Sequence, residues 1–154
     1  MSKLTKILLA EDNENDIELT LSALAECRLT NEVEVVRDGA EALDYIYRRG
    51  HFADRPPGHP CVILLDLKMP RVDGLEVLRQ IKGDPGLRRV PVVMLTSSRE
   101  EKDLHTSYNL GVNAFVVKPV DFGQFVEAIR AVGVFWAIVN EQPPGVDRPE
   151  LATV

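Results

Sequence analysis

Val62-Ile63-Leu64-Leu65-Asp66-Leu67-Lys68-Met69-Pro70 decides the fold. The apolar run from Val62 to Leu65 shows no polar alternation, stops at a carboxylate and is followed by a proline-containing loop. That pattern reads as a strand buried on both faces and ending at polar chemistry. Leu75, Leu78 and Ile81 then recur at helical spacing, so the strand is followed by a helix. The same unit recurs on either side. Upstream, Lys6 to Ala10 ends at Glu11 and Asp12, and Ile17, Leu21 and Leu24 mark a helix over Asn15 to Arg28 with Asn13 as its cap. Val33 to Val36 is β-branched and precedes a helix with Ala40, Leu43 and Ile46. Downstream, Val92 to Leu95 ends at Thr96, and Ser98 to Leu110 has the thin apolar face of Leu104 and Tyr108. Ala114 to Val117 ends at Lys118-Pro119, after which Asp121 caps a last helix with Phe122, Phe125, Ile129 and Val132.

Five such strands, each followed by a helix, predict a doubly wound α/β domain: a five-stranded parallel sheet with helices on both faces. In that architecture ligands bind beyond the carboxyl ends of the strands, where strand order reverses. The residues waiting there are Glu11, Asp12, Asp66, Thr96 and Lys118.

The 154 residues suit one domain, read as residues 1–140 with a proline-containing tail at 141–154. Gly50 to Pro60 holds Pro56, Pro57 and Pro60, too proline-rich for a helix, and reads as a loop with some stiffness. A formal net charge of −6 with no basic stripe argues against nucleic-acid binding. No apolar run approaches the roughly 20 residues that span a bilayer, and Met1 to Lys6 lacks a signal segment, so a cytoplasmic location is expected. Cys27 and Cys61 show no metal or redox spacing and read as packing residues. His51, His59 and His105 are isolated and are read as solvent or packing residues.

Three clustered carboxylates raise one another's pKa unless a cation lies between them, and Mg²⁺ suits an all-oxygen site that must exchange water for phosphate. An aspartate there can also act as a nucleophile toward phosphorus. Phosphoryl transfer needs mainly alignment and positive charge, which Lys118 and Mg²⁺ could supply, while the Thr96 hydroxyl can donate to a phosphate oxygen. Asp66 can also be a turn cap, Lys118 a surface lysine and Thr96, taken alone, equally a strand end; their order along the chain favours the chemical reading. Phe115 reads as core.

From about Thr5 to Asn140 the chain resembles the receiver domain of bacterial two-component response regulators. The resemblance rests on Ile7-Leu8-Leu9-Ala10-Glu11-Asp12-Asn13, Leu64-Leu65-Asp66-Leu67-Lys68-Met69-Pro70 with Asp73-Gly74, Pro91 to Ser97, and Gly111 to Pro119. It implies the flavodoxin-like order 2-1-3-4-5, with Asp66 as phosphoacceptor and Asp12 as a direct Mg²⁺ ligand. Glu11 would be a water-mediated ligand and the Lys68 carbonyl a further one. Thr96 and Lys118 would hold the phosphoryl oxygens, and Phe115 would be the aromatic that changes rotamer. Glu11 replaces the commoner aspartate, Phe115 stands where tyrosine is common, and Lys68 projects near the acceptor.

The implied function is a stand-alone response regulator accepting its phosphoryl group from a sensor histidine kinase, with no enzyme activity beyond its own phosphorylation and dephosphorylation. Length, the loop before the third strand and the aromatic last helix narrow the resemblance to regulators paired with bacterial phytochrome kinases. A phosphate sink or an intermediate carrier in a multistep relay is the alternative. A phosphatase of the haloacid dehalogenase type needs a second carboxylate at the position of Lys68, and a flavin carrier needs a Ser/Thr/Gly-rich loop in place of Glu11-Asp12. Apolar residues from Ala128 to Val139 spread around more than one side of the last helix. With the resemblance, they imply a homodimer through the fourth helix (Ser98 to Leu110), the fifth strand and the fifth helix.

Overall fold

The unalternating apolar runs become the strands, and each is paired along its whole length. The structure is a computed structural model describing residues 6–26, 33–96, 109–118 and 120–131. The strands are β1 (Ile7–Ala10), β2 (Val33–Val36), β3 (Val62–Asp66), β4 (Val92–Thr96) and β5 (Ala114–Val117). All pairings are parallel and the order is β2-β1-β3-β4-β5, as expected. The helices are α1 (Glu14–Glu26), α2 (Gly39–Tyr47), α3 (Gly74–Gly83) and α4 (Phe122–Ala131). The helix expected over Ser98 to Leu110 falls almost wholly outside the described residues, as do the continuation of the last helix beyond Ala131 and the tail.

Strand side chains alternate between two cores, which is why neither face shows a polar period. Leu8, Ala10, Ile63, Leu65 and Met94 pack with Leu43, Ile46, Leu78 and Ile81 of α2 and α3. Ile7, Leu9, Leu64, Val93 and Leu95 pack on the other face with Ile17 and Leu24 of α1 and Phe125 and Ile129 of α4. Because β1 lies between β2 and β3, the chain's crossovers diverge there. The crevice that this opens lies at the ends of β1 and β3.

Side-chain caps start each helix: Asn13 accepts from the Asp16 N–H at 3.0 Å and Asp121 from the Gln124 N–H at 2.8 Å, as the sequence predicts. Asp38 and Asp73 do the same for α2 and α3. Two glycines let these starts approach the crevice. A Cβ on Gly39 would lie 1.8 Å from the Val72 carbonyl oxygen, and one on Gly74 would lie 2.2 Å from that of Asp66. The loop after β3 is thereby wedged between α2 and α3. An ion pair of Arg71 with Asp38 at 3.2 Å fastens the same loop, whose Arg71 takes a positive φ of 67°.

The connection before β3 departs from the sequence reading by opening with one 3₁₀ turn, Gly50–Phe52, placed ahead of the prolines. Its stiffness comes largely from Arg55. The guanidinium lies 4.2 Å from the Tyr45 ring centre and donates to the carbonyls of Tyr45, Ile46, Pro56 and Gly58. It thus places a cation at the C-terminus of α2 and laces the loop to it. Cys61 is half-buried against the core, and Cys27 lies outside the described residues. Among the described residues no helix is long and apolar enough to cross a membrane.

Candidate functional site

The site is assembled where four strands stop. Parallel pairing in register brings those ends level, so residues just past them share one edge of the sheet. Glu11 follows β1, with its N–H bonded to the Val36 carbonyl at 2.9 Å. Asp66 ends β3 opposite Leu95, Thr96 ends β4 opposite Val117, and the Lys118 N–H donates to the Thr96 carbonyl at 2.9 Å. Three of these side chains are unusually secluded: Glu11 is 0%, Asp66 4% and Thr96 1% exposed. Asp12 is exposed, so the cluster has one side open to solvent.

Carboxylate oxygens of Glu11, Asp12 and Asp66 lie within 4.8 Å of one another. Lys118 reaches into this group. Its Nζ is 2.8 Å from Glu11 Oε1, 3.0 Å from Asp66 Oδ1 and 3.0 Å from Asp16 Oδ2. Glu11 Oε2 accepts from the Asn13 N–H at 3.1 Å, whereas Oε1 meets the ammonium as an ionic contact without the alignment of a hydrogen bond.

Burial, followed by contact with Lys118 and the nearby charge of Asp66, governs Glu11, and the net result pushes it up to about 7. Burial also raises Asp66, against the pull of Lys118, the neighbouring Glu11 side chain and a hydrogen bond from the Lys68 backbone. For Lys118 burial alone would favour the neutral amine, but Glu11, Asp66 and Asp16 together hold the proton and raise its pKa. The carboxylates of Glu11, Asp12, Asp66 and Asp16 outnumber the one ammonium of Lys118, so these side chains together are short of positive charge. A hard divalent cation fits it on chemistry: the donors are all oxygens, one is a buried oxygen without a hydrogen bond, and one wall is open for water.

Of the residues predicted from the sequence, Glu11, Asp12, Asp66 and Lys118 are brought together directly. Thr96 is buried at the next strand end. The Lys68 backbone adjoins Asp66 while its side chain is exposed. Phe115 is half-buried, opposite Met94 on β5, and packs against the core that α2 and α3 cover.

The residue that sequence reasoning missed is Asp16. It lies in the first turn of α1 and reaches Lys118 across 102 positions of chain. The available signal was its place in that turn: helical side chains lean toward the N-terminus, so an acid there overhangs the end of the preceding strand.

Comparison with known proteins gives the geometry its family. The profile of the response regulator receiver domain matches residues 7–130. The response regulator Rcp1 of Synechocystis is 37% identical over 130 residues, which are 84% of this chain and 87% of that protein. A solved Mn(2+)-bound form of Rcp1 superposes with a TM-score of 0.73 at 35% identity, covering 90% of this chain and 99% of that one. Two bacteriophytochrome response regulators are more similar still. RtBRR has a TM-score of 0.83 at 57% identity, covering 98% of this chain and 95% of its own. AtBRR has a TM-score of 0.83 at 64% identity, covering 91% of this chain and 100% of its own. With its acidic crevice, its strand-end lysine and its sheet order, the chain belongs to the response regulator receiver domain family.

Proposed function

We propose that this receiver domain accepts a phosphoryl group on Asp66 from a sensor histidine kinase and passes the signal on by a change of shape. The observation that carries this reading is a nearly buried Asp66 in ionic contact with Lys118, beside two further carboxylates. In the reaction an Asp66 carboxylate oxygen forms a bond to phosphorus. The bond from phosphorus to the donor's nitrogen or oxygen breaks, and its electron pair leaves with the donor. Lys118 lies where it can donate to a phosphoryl oxygen, and Thr96 caps the adjacent strand.

Glu11, Asp12 and Asp66, with the Lys68 carbonyl, would hold Mg²⁺. When bound, that ion supplies charge neutralisation to the phosphoryl oxygens. Thr96 and Phe115 are the proposed switch pair, the hydroxyl moving toward the phosphoryl group and the ring repacking after it. Lys68 stands where a haloacid dehalogenase-type phosphatase requires an acid, and its exposed ammonium supplies none, which favours a signalling role over turnover of external substrates.

The partners we infer are a phytochrome-type histidine kinase, on the likeness to RtBRR and AtBRR, and a second copy of this chain through the helix expected over Ser98 to Leu110, β5 and α4.

A small-molecule phosphodonor tests the central step. With acetyl phosphate and Mg²⁺, intact mass should rise by one phosphate, and both Asp66→Asn and chelation of the metal should prevent it. Equal labelling of Asp66→Asn would overturn the assignment.

A further inference from the structure

Lys118 has three carboxylate neighbours, and two of them have other work in the reading above. Glu11 and Asp66 belong to the group of oxygens suited to a cation, while Asp16 does not. Asp16 is nevertheless the neighbour with hydrogen-bond geometry, accepting from Lys118 Nζ at 3.0 Å. Its carboxylate has no other partner among the described residues. Its backbone is fixed, because the N–H bonds to the Asn13 cap and the carbonyl accepts from the Thr20 hydroxyl at 2.8 Å.

On phosphorylation, the negative charge of Asp66 passes to the phosphoryl oxygens, and Glu11 is one of the residues that would hold the cation. Asp16 alone can keep its bond to the ammonium throughout. A lysine side chain has large rotamer entropy, so an ammonium left without that hold would have to be ordered anew around each incoming phosphoryl group.

We propose that Asp16 is a positioning residue for Lys118: it anchors the ammonium to the first turn of α1 in both states, so that phosphorylation replaces its ionic contact with Asp66 by an N–H donated to a phosphoryl oxygen without releasing the lysine. The proposal rests on Asp66 being the phosphoacceptor. It makes Asp16 part of the reaction's preorganisation, since donors held in place before charge arrives cost no reordering when it does.

Anchoring and simple charge act in opposite directions here, which makes the test decisive. Removing a carboxylate beside an anion site would, by charge alone, tighten anion binding, equally for Asp16→Asn and Asp16→Ala. Loss of an anchor loosens it, and less for Asn, whose side-chain carbonyl still accepts a hydrogen bond.

The experiment is calorimetric titration of the whole chain with beryllofluoride, a phosphoryl mimic, at saturating Mg²⁺. Asp16→Ala should bind about fivefold more weakly than the parent, the equivalent of a partly exposed ion pair, with Asp16→Asn between the two. Asp16→Ala binding as tightly as the parent or tighter overturns the proposal, as does Asp16→Asn binding no better than Asp16→Ala. A parent that binds no beryllofluoride removes instead the assignment of Asp66 on which the proposal stands.

Discussion

Replacing Glu11 by Gln should make the metal-free protein more stable than the parent above neutral pH, although it removes a residue of the site. Glu11 has no solvent exposure, and its Oε1 is a buried oxygen that lacks a hydrogen bond. Burial, moderated by Lys118, lifts its pKa from the ordinary 4.5 to about 7. A carboxyl that holds its proton more tightly folded than unfolded contributes stability that is complete below about pH 4.5 and is lost as pH rises through about 7. At about 1.36 kcal/mol per pH unit, the lost contribution comes to about 3 kcal/mol. This is a ceiling, because Asp66 is raised by the same burial and titrates with it.

The assay is urea unfolding in chelator across that range, with parent and Glu11→Gln side by side. The difference should move in favour of the variant by up to about 3 kcal/mol between about pH 4.5 and about pH 8. Adding Mg²⁺ at the upper pH should then stabilise the parent more than the variant, by the linkage of a ligand to the state that binds it. A difference that stays flat with pH, or that moves toward the parent in chelator, would refute the reasoning from burial.

Gly74→Ala should destabilise the fold by about 1–3 kcal/mol and slow labelling of Asp66, because its Cβ would fall 2.2 Å from the Asp66 carbonyl oxygen. Gly83→Ala is the control, with open space around it and no expected loss on urea unfolding or labelling. Arg55→Ala should cost about 2 kcal/mol through the lost carbonyl contacts and ring stacking. Its labelling should match the parent's, since the loop meets β3 at the end away from Asp66, and Arg55→Lys should recover little because one ammonium cannot serve four carbonyls. Light scattering tests the homodimer: the parent should be dimeric at high micromolar concentration when phosphorylated, and Phe135→Asp with Trp136→Asp should leave monomers. A phosphorylated parent that stays monomeric would exclude that interface.

Much of this protein is written in local sequence. The run Val62 to Leu65 reads as a buried strand because nothing in it tolerates water, and β1 and β4 read in the same way, whereas the half-buried edge strand β2, which carries Glu34, reads from its β-branched residues. Asn13 and Asp121 announce helix starts because a short polar side chain is what the first free N–H groups require. Asp66, Glu11, Asp12 and Lys118 are legible because parallel strands must deliver their last residues to one edge.

What local sequence does not contain is the rotation and approach of one element against another. That geometry takes Asp16 to Lys118, leaves Glu11 Oε1 without a hydrogen bond, seats Gly39 and Gly74 on backbone, and makes Arg55 the organiser of a loop that its prolines seemed to explain. Periodicity records which face of an element is buried. Which side chains meet across that face depends on packing between residues far apart in the chain, and only the tertiary structure decides it.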